Sequence, residues 1–163
     1  MKIIHLVFII FSFLFTACNL ERKLVKNSYA YTSIRMPGTL AVDQNGKPIH
    51  KGADTSTLIF VETAREGIIW EKAWMDNKSF IINPVAINNI PLELGHKKTT
   101  GEPVVLAPGK DNQFWQLLLK PSDNPVSTES LKEGEILLQG RYKNKKFTKK
   151  ITDITELLNP DAQ

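Results

Sequence analysis

One cysteine, Cys18, is the only thiol this chain carries. A lone cysteine has no partner within the chain, so no disulfide framework holds the fold, and packing must do that work. The three histidines, His5, His50 and His96, stand far apart, with no H-x-x-x-H or C-x-x-C spacing and no calcium-loop pattern. The sequence therefore offers no metal-binding motif and implies no cofactor. Long apolar runs are missing too. The longest, Ile3 to Phe15, covers thirteen residues and is interrupted by His5 and Ser12. A helix that spans a bilayer needs about 20 apolar residues to cross a hydrocarbon layer about 30 Å thick, so this run is too short. Apolar residues at helical spacing are equally scarce, and strand-and-turn patterning dominates instead.

The short apolar run follows one positive residue, Lys2, and ends in Thr16, Ala17 and Cys18. A positive start, an apolar stretch and small residues at its end make up the layout of a secretory signal. Phe15-Thr16-Ala17-Cys18 resembles the lipobox of bacterial lipoprotein precursors, Leu-x-Ala/Gly-Cys, with Phe15 in the slot where Leu is usual. The resemblance covers residues 1–19 only. It implies cleavage before Cys18 and a diacylglycerol on the Cys18 sulfur, chemistry that needs a thiolate nucleophile. It also implies a mature chain held on a membrane of the bacterial cell envelope by acyl chains, without spanning it. Asn19, in place of Asp, is compatible with sorting to the outer membrane. The competing reading is an ordinary cleaved signal, or an apolar first strand, with Cys18 incidental.

On the lipobox reading, residues 1–17 are the signal, 18–34 a lipidated N-terminus and polar tether, and 35–163 a single domain. The segment NLERKLVKNSYAY (19–31) is mixed in charge. Leu20 and Leu24 stand four apart, as on one face of a short helix, but offer too little apolar surface to hold one alone. The formal net charge is +4, and loss of Lys2 lowers it by one. That is a weak footprint for nucleic acid, and an exported address removes nucleic acid as a partner.

Beyond the tether the letters predict short strands at 39–43, 55–64, 67–74, 80–87, 91–94, 103–107, 113–120, 135–142 and 147–154. Residues 55–64 are rich in β-branched and aromatic types, and broken alternation there fits a strand covered on both faces. Asn45-Gly46, MDNKS (75–79) and KNKK (143–146) are turn signals between arms. Pro84 marks a bulge or a sheet edge and Pro121 the end of a strand. Ser130 and Glu133 have capping-box spacing, and TELLNPDAQ (155–163) is read as a helical turn. Many short strands with frequent turns indicate an all-β domain, an antiparallel β-sandwich, with a small β-barrel as the alternative. SLKEGEILLQGRY (130–142) loosely resembles the corner before a late strand of immunoglobulin-like and fibronectin-like domains, although Ile136 holds the slot of their usual tyrosine.

No catalytic set converges. His50, Asp54 and Ser56 are close in sequence but lie in a loop without a nucleophile elbow, and a polar loop explains them equally well. Glu62, Glu71 and Glu93 fall within strands, where a carboxylate pair for glycan hydrolysis is conceivable and a solvated face is the commoner explanation. Two groups stand out as candidate binding surfaces. Arg141, Lys143, Lys145, Lys146, Lys149 and Lys150 concentrate cations on one hairpin, which can meet anionic headgroups or an acidic partner, or simply guard a sheet edge. Trp70, Trp74 and Trp115 can stack on sugars or anchor a protein interface, or else fill the core. The sequence thus points to a lipid-anchored envelope binding or scaffold module for a protein or glycan partner. An envelope hydrolase and a structural subunit of an envelope assembly are the alternatives.

Overall fold

The computed structural model describes residues 20–35, 43–45, 47, 54–123 and 131–158. Ten strands appear among them: β1 (Val25–Arg35), β2 (Asp54–Thr63), β3 (Ile69–Met75), β4 (Lys78–Ala86), β5 (Leu92–His96), β6 (Pro103–Leu106), β7 (Gln113–Ser122), β8 (Ile136–Tyr142), β9 (Lys145–Ile151) and β10 (Ile154–Leu157). Residues 20–24 form a single helical turn ahead of β1. The chain is all-β, as its turn-punctuated pattern predicts.

Eight strands make one sheet in the order β10-β1-β2-β7-β4-β3-β8-β9, and β5 and β6 form a second, two-stranded sheet. Every pairing is antiparallel except β1 with β10. The order places β9 and β10 at opposite edges, yet only Thr152 and Asp153 separate them in the chain. Three peptide units span at most about 11 Å, so the two edges lie side by side and the sheet curls around its own core. Its middle is loosely laced. β7 meets β2 only over Gln113–Gln116, and β4 meets β3 only over Lys78–Ile81. The β4–β7 pair thus crosses from one half of the curl to the other, an arrangement between a sandwich and a half-barrel.

Proline chemistry explains part of this lacing. Pro84 and Pro121 lack an N–H to donate, and both sit where their strand has one neighbour only, each facing the other strand of the β4–β7 pair. β7 does not stop at Pro121: it runs on to Ser122, which accepts a hydrogen bond from Ser79 Oγ at 2.9 Å.

Alternation sends Ile59 and Val61 of β2 inward with Ala73, Ile82, Leu117, Ile136 and Leu138. Trp70, Gly140 and Phe147 form a row across β3, β8 and β9. The Phe147 ring covers Gly140, where an added Cβ would stand 2.7 Å from its Cζ, and Trp70 meets that ring edge-on at 5.6 Å. The other face of β1, β2 and β7 presents Tyr31, Phe60 and Phe114, which the β5–β6 sheet covers with Val104 and Leu106. Phe60 and Phe114 stack at 5.8 Å.

Two expectations are corrected. Residues 25–34 of the expected tether (18–34) belong instead to β1 (Val25–Arg35), an inner strand with β2 on one side and β10 on the other. Backbone pairing on both flanks holds a polar segment that side-chain hydrophobicity alone would not. The described part of the expected helical turn (155–163), Thr155 to Leu158, is not helical: Ile154–Leu157 pair in parallel with Ala30–Ser33. Residues 39–42 of the predicted strand at 39–43, His50 and the Ser130 capping position lie outside the described residues, and Asp43 is not in a strand.

Candidate functional site

We term proximal the end at which β1, β3, β7 and β9 begin and β2, β4 and β8 finish. Cys18 lies outside the described residues, two positions before the helical turn that opens this end. Trp70 and Trp74 are 5% and 9% exposed and are thereby removed as stacking platforms; their indole N–H groups have no acceptor among the described residues. Trp115 is half-buried, packs inward, and donates from Nε1 to Thr63 Oγ1 at 3.3 Å.

The six hairpin cations do not act as one patch. Arg141 donates to Glu71, which also accepts from Gln139. Those two donors, Gln139 first, hold the Glu71 carboxyl below its ordinary range. Lys149 pairs with Glu21 at 2.7 Å, tying the helical turn to β9, and Lys150 pairs with Glu135 at 3.1 Å. Lys143 lies over the Tyr142 ring, and Lys145 and Lys146 form no ion pair among the described residues.

Glu62 is a residue whose role the letters do not announce. It lies on the outer face of β2 and is 3% exposed. Its Oε1 accepts from Gly109 N at 2.7 Å and Asn112 Nδ2 at 2.5 Å, and its Oε2 from Asn27 Nδ2 at 2.5 Å. Burial acts to raise its pKa, but these donors and the nearby Lys26 outweigh it and hold the carboxyl below the usual 4.5. Glu62 therefore clamps the 107–112 loop onto β1 and β2. The alternation of β2, which makes position 62 an outward partner of Phe60, is the only signal the sequence holds for it.

The clamped loop forms one wall of a cleft of about 310 Å³ at the proximal rim. Ala86, Ile87, Asn88 and Ile90 make the facing wall, and Asn112, Gln113 and Trp115 line it as well. Amide groups here provide both donors and acceptors beside an apolar floor. The apolar surface continues outside the cleft. Ile81 and Val85 of β4 and Leu118 of β7 point away from the core and are 48%, 39% and 43% exposed. Along their strands Val85 has the parity of Ile87, and Leu118 that of Phe114, both of which line the cleft, so strip and cleft lie toward one face of the two central strands.

Known protein families, curated proteins and solved structures offer no match to this chain. Ser56, set beside His50 and Asp54 in the sequence, lies in β2 and donates to Ser33 O at 3.3 Å. Glu93 is exposed on β5, while Glu62 and Glu71 are each held by their own donors. Among the described residues no three His, Cys, Asp or Glu side chains gather as metal ligands. No described helix is long and apolar enough to cross a membrane.

Proposed function

We propose that this chain is a lipid-anchored binding module of the bacterial cell envelope, held at the outer membrane through Cys18, and that it engages a protein partner without catalysis. The observation that carries the partner is the exposed strip of Ile81, Val85 and Leu118 on the central strands, over which no described element packs. Apolar side chains in the middle of a sheet normally meet a covering element, and contiguous exposure marks a protein contact. The strip leads into the amide-lined cleft, which suits an extended segment with apolar side chains and backbone groups to pair. A protein partner is favoured over a glycan because Trp115 spends its indole N–H on Thr63 and packs inward.

Two measurements test the proposal. Labelled lipid is incorporated into the wild type and not into Cys18→Ala; equal labelling would falsify the anchor. A photoreactive residue at position 118, in cells, gives one discrete heterologous adduct that is lost in Val85→Glu while the variant keeps its far-ultraviolet circular dichroism. An adduct of twice the chain's mass overturns the choice of a heterologous partner in favour of a second copy of the chain, and a polymer ladder overturns the choice of a protein partner.

A further inference from the structure

A second cleft, of about 390 Å³, opens at the proximal end where the chain enters the fold. Leu20, Leu24 and Ala64 give it apolar walls, and Lys23, Lys26, Arg65 and Tyr142 complete its lining. Its shape is set by the fold. Ala64 N donates to Leu24 O at 2.9 Å, joining the helical turn to the end of β2, and the Lys149–Glu21 pair holds the turn from its other side. Lys23, Lys26 and Arg65 are exposed and form no ion pair among the described residues.

The neighbouring carboxylates are committed elsewhere: Glu21 to Lys149, Glu62 to the Asn27, Gly109 and Asn112 donors, and Glu71 to Gln139 and Arg141. The Lys26 charge also reaches Glu62. Glu66, beside Arg65, is the exposed acid on this connection. Against it stand the cleft cations and, past Tyr142, Lys143, Lys145 and Lys146 at the β8–β9 turn. The mouth of the cleft is thus strongly positive above an apolar floor.

We propose that this cleft is a headgroup site for an anionic phospholipid of the membrane that carries the Cys18 lipid, an inference that rests on the anchor reading above. The place of the helical turn in the fold supplies the geometry. Leu20 already belongs to the fold, and the two residues from Cys18 to Leu20 reach at most about 7 Å. An acylated Cys18 at the bilayer surface therefore holds the cleft at the level of the headgroups. Lys and Arg donors match the phosphodiester oxygens, the Arg65 guanidinium by a two-pronged contact, and the apolar walls meet the glycerol and the first methylenes. An acyl anchor combined with a basic contact fixes the orientation of the domain as well as its attachment. The proximal end faces the membrane, and the far end, with the β3–β4 turn, faces away.

The test uses the full lipidated protein in phosphatidylcholine vesicles with and without about one-fifth phosphatidylglycerol. Amine acylation of Lys23 and Lys26, read by mass spectrometry, slows about tenfold when the anionic lipid is present, whereas Lys78 at the far turn reacts at the same rate in both. High salt abolishes the protection by screening. In Lys23→Gln/Arg65→Gln, protection of Lys26 is lost while the variant still floats with the vesicles. Equal Lys23 and Lys26 rates in the two vesicle types, with the wild type floating in both, overturn this inference alone. A wild type that does not float overturns the anchor and this inference with it. If millimolar glycerol phosphate in neutral detergent protects the two lysines as fully as the anionic vesicles do, the cleft takes a soluble phosphate ester and the lipid assignment is overturned.

Discussion

Glu62 stands at the point where one side chain decides the shape of a cleft. A buried carboxylate is costly unless charged donors or aligned N–H groups meet it, and here three donors from Asn27, Gly109 and Asn112 do so. Because they hold its folded pKa below 4.5, the ionised form is favoured more strongly in the folded chain than in the unfolded one. The resulting stability is fully present above the unfolded pKa and is lost as pH falls through the folded value. Glu62→Gln removes this titration. We expect the variant to lose about 1 kcal/mol at neutral pH, the low end for a disturbed buried hydrogen bond, since the Asn27 amide can turn to meet the new donor. Denaturant midpoints measured from pH 7 down to pH 3 should fall less steeply for the variant than for the wild type. Parallel curves would show that another group carries the acid sensitivity.

Among the elements, the two local hairpins were the most legible. β3–β4 and β8–β9 are closed by Asp76-Asn77 and Lys143-Asn144, all four with positive φ, and polar pairs between alternating arms announce such turns. The β5–β6 pair and β7 are likewise visible as short runs between Gly and Pro. β1 and β10 were not. Their partners are distant in sequence or run parallel, no turn residue links them, and β1 gains its place through backbone pairing while exposing Lys26 and Asn27. The basic cleft is hidden for the same reason, since the Val25–Thr63 pairing of β1 with β2 and the Leu24–Ala64 hydrogen bond bring Lys23 and Arg65 to one place from distant parts of the sequence. The rim cleft was visible only through Trp115. Turn chemistry is also where one element can be improved. Asn77 has φ 59°, a conformation glycine adopts without a Cβ penalty, and Asp-Gly is a favoured pair for this turn. Asn77→Gly should therefore raise stability by about 0.5 kcal/mol, read as a higher denaturant midpoint with an unchanged slope. A lower midpoint would mean that the Asn77 side chain contributes more than its backbone strain costs.

Across the whole molecule, the curl leaves two edges to protect, and the chain protects them differently. β9 carries Lys145, Lys146, Lys149 and Lys150, charges that discourage pairing with another strand. β10 is shielded by the second sheet: Lys97 bridges to Leu157, Lys98 N donates to Glu156 O, and Leu158 N donates to His96 O, both at 2.8 Å. β10 therefore does two things at once. It covers the β1 edge and moors the hairpin that shelters Tyr31, Phe60 and Phe114. A chain ended after Asp153 loses both, leaving an eleven-residue strand unpaired on one side beside an apolar face. Such a surface invites edge-to-edge association. We expect the truncated chain to unfold at lower temperature and to elute larger than the full chain in size-exclusion chromatography with light scattering. Leu157→Ala is the contrasting variant, because it keeps the backbone ladder and removes only side-chain packing, at a cost of about 2–5 kcal/mol. It should be less stable than the wild type yet keep the wild-type mass. If the truncated chain kept that mass too, the last strand would serve packing alone, and the guarding of the β1 edge would fall to the second sheet.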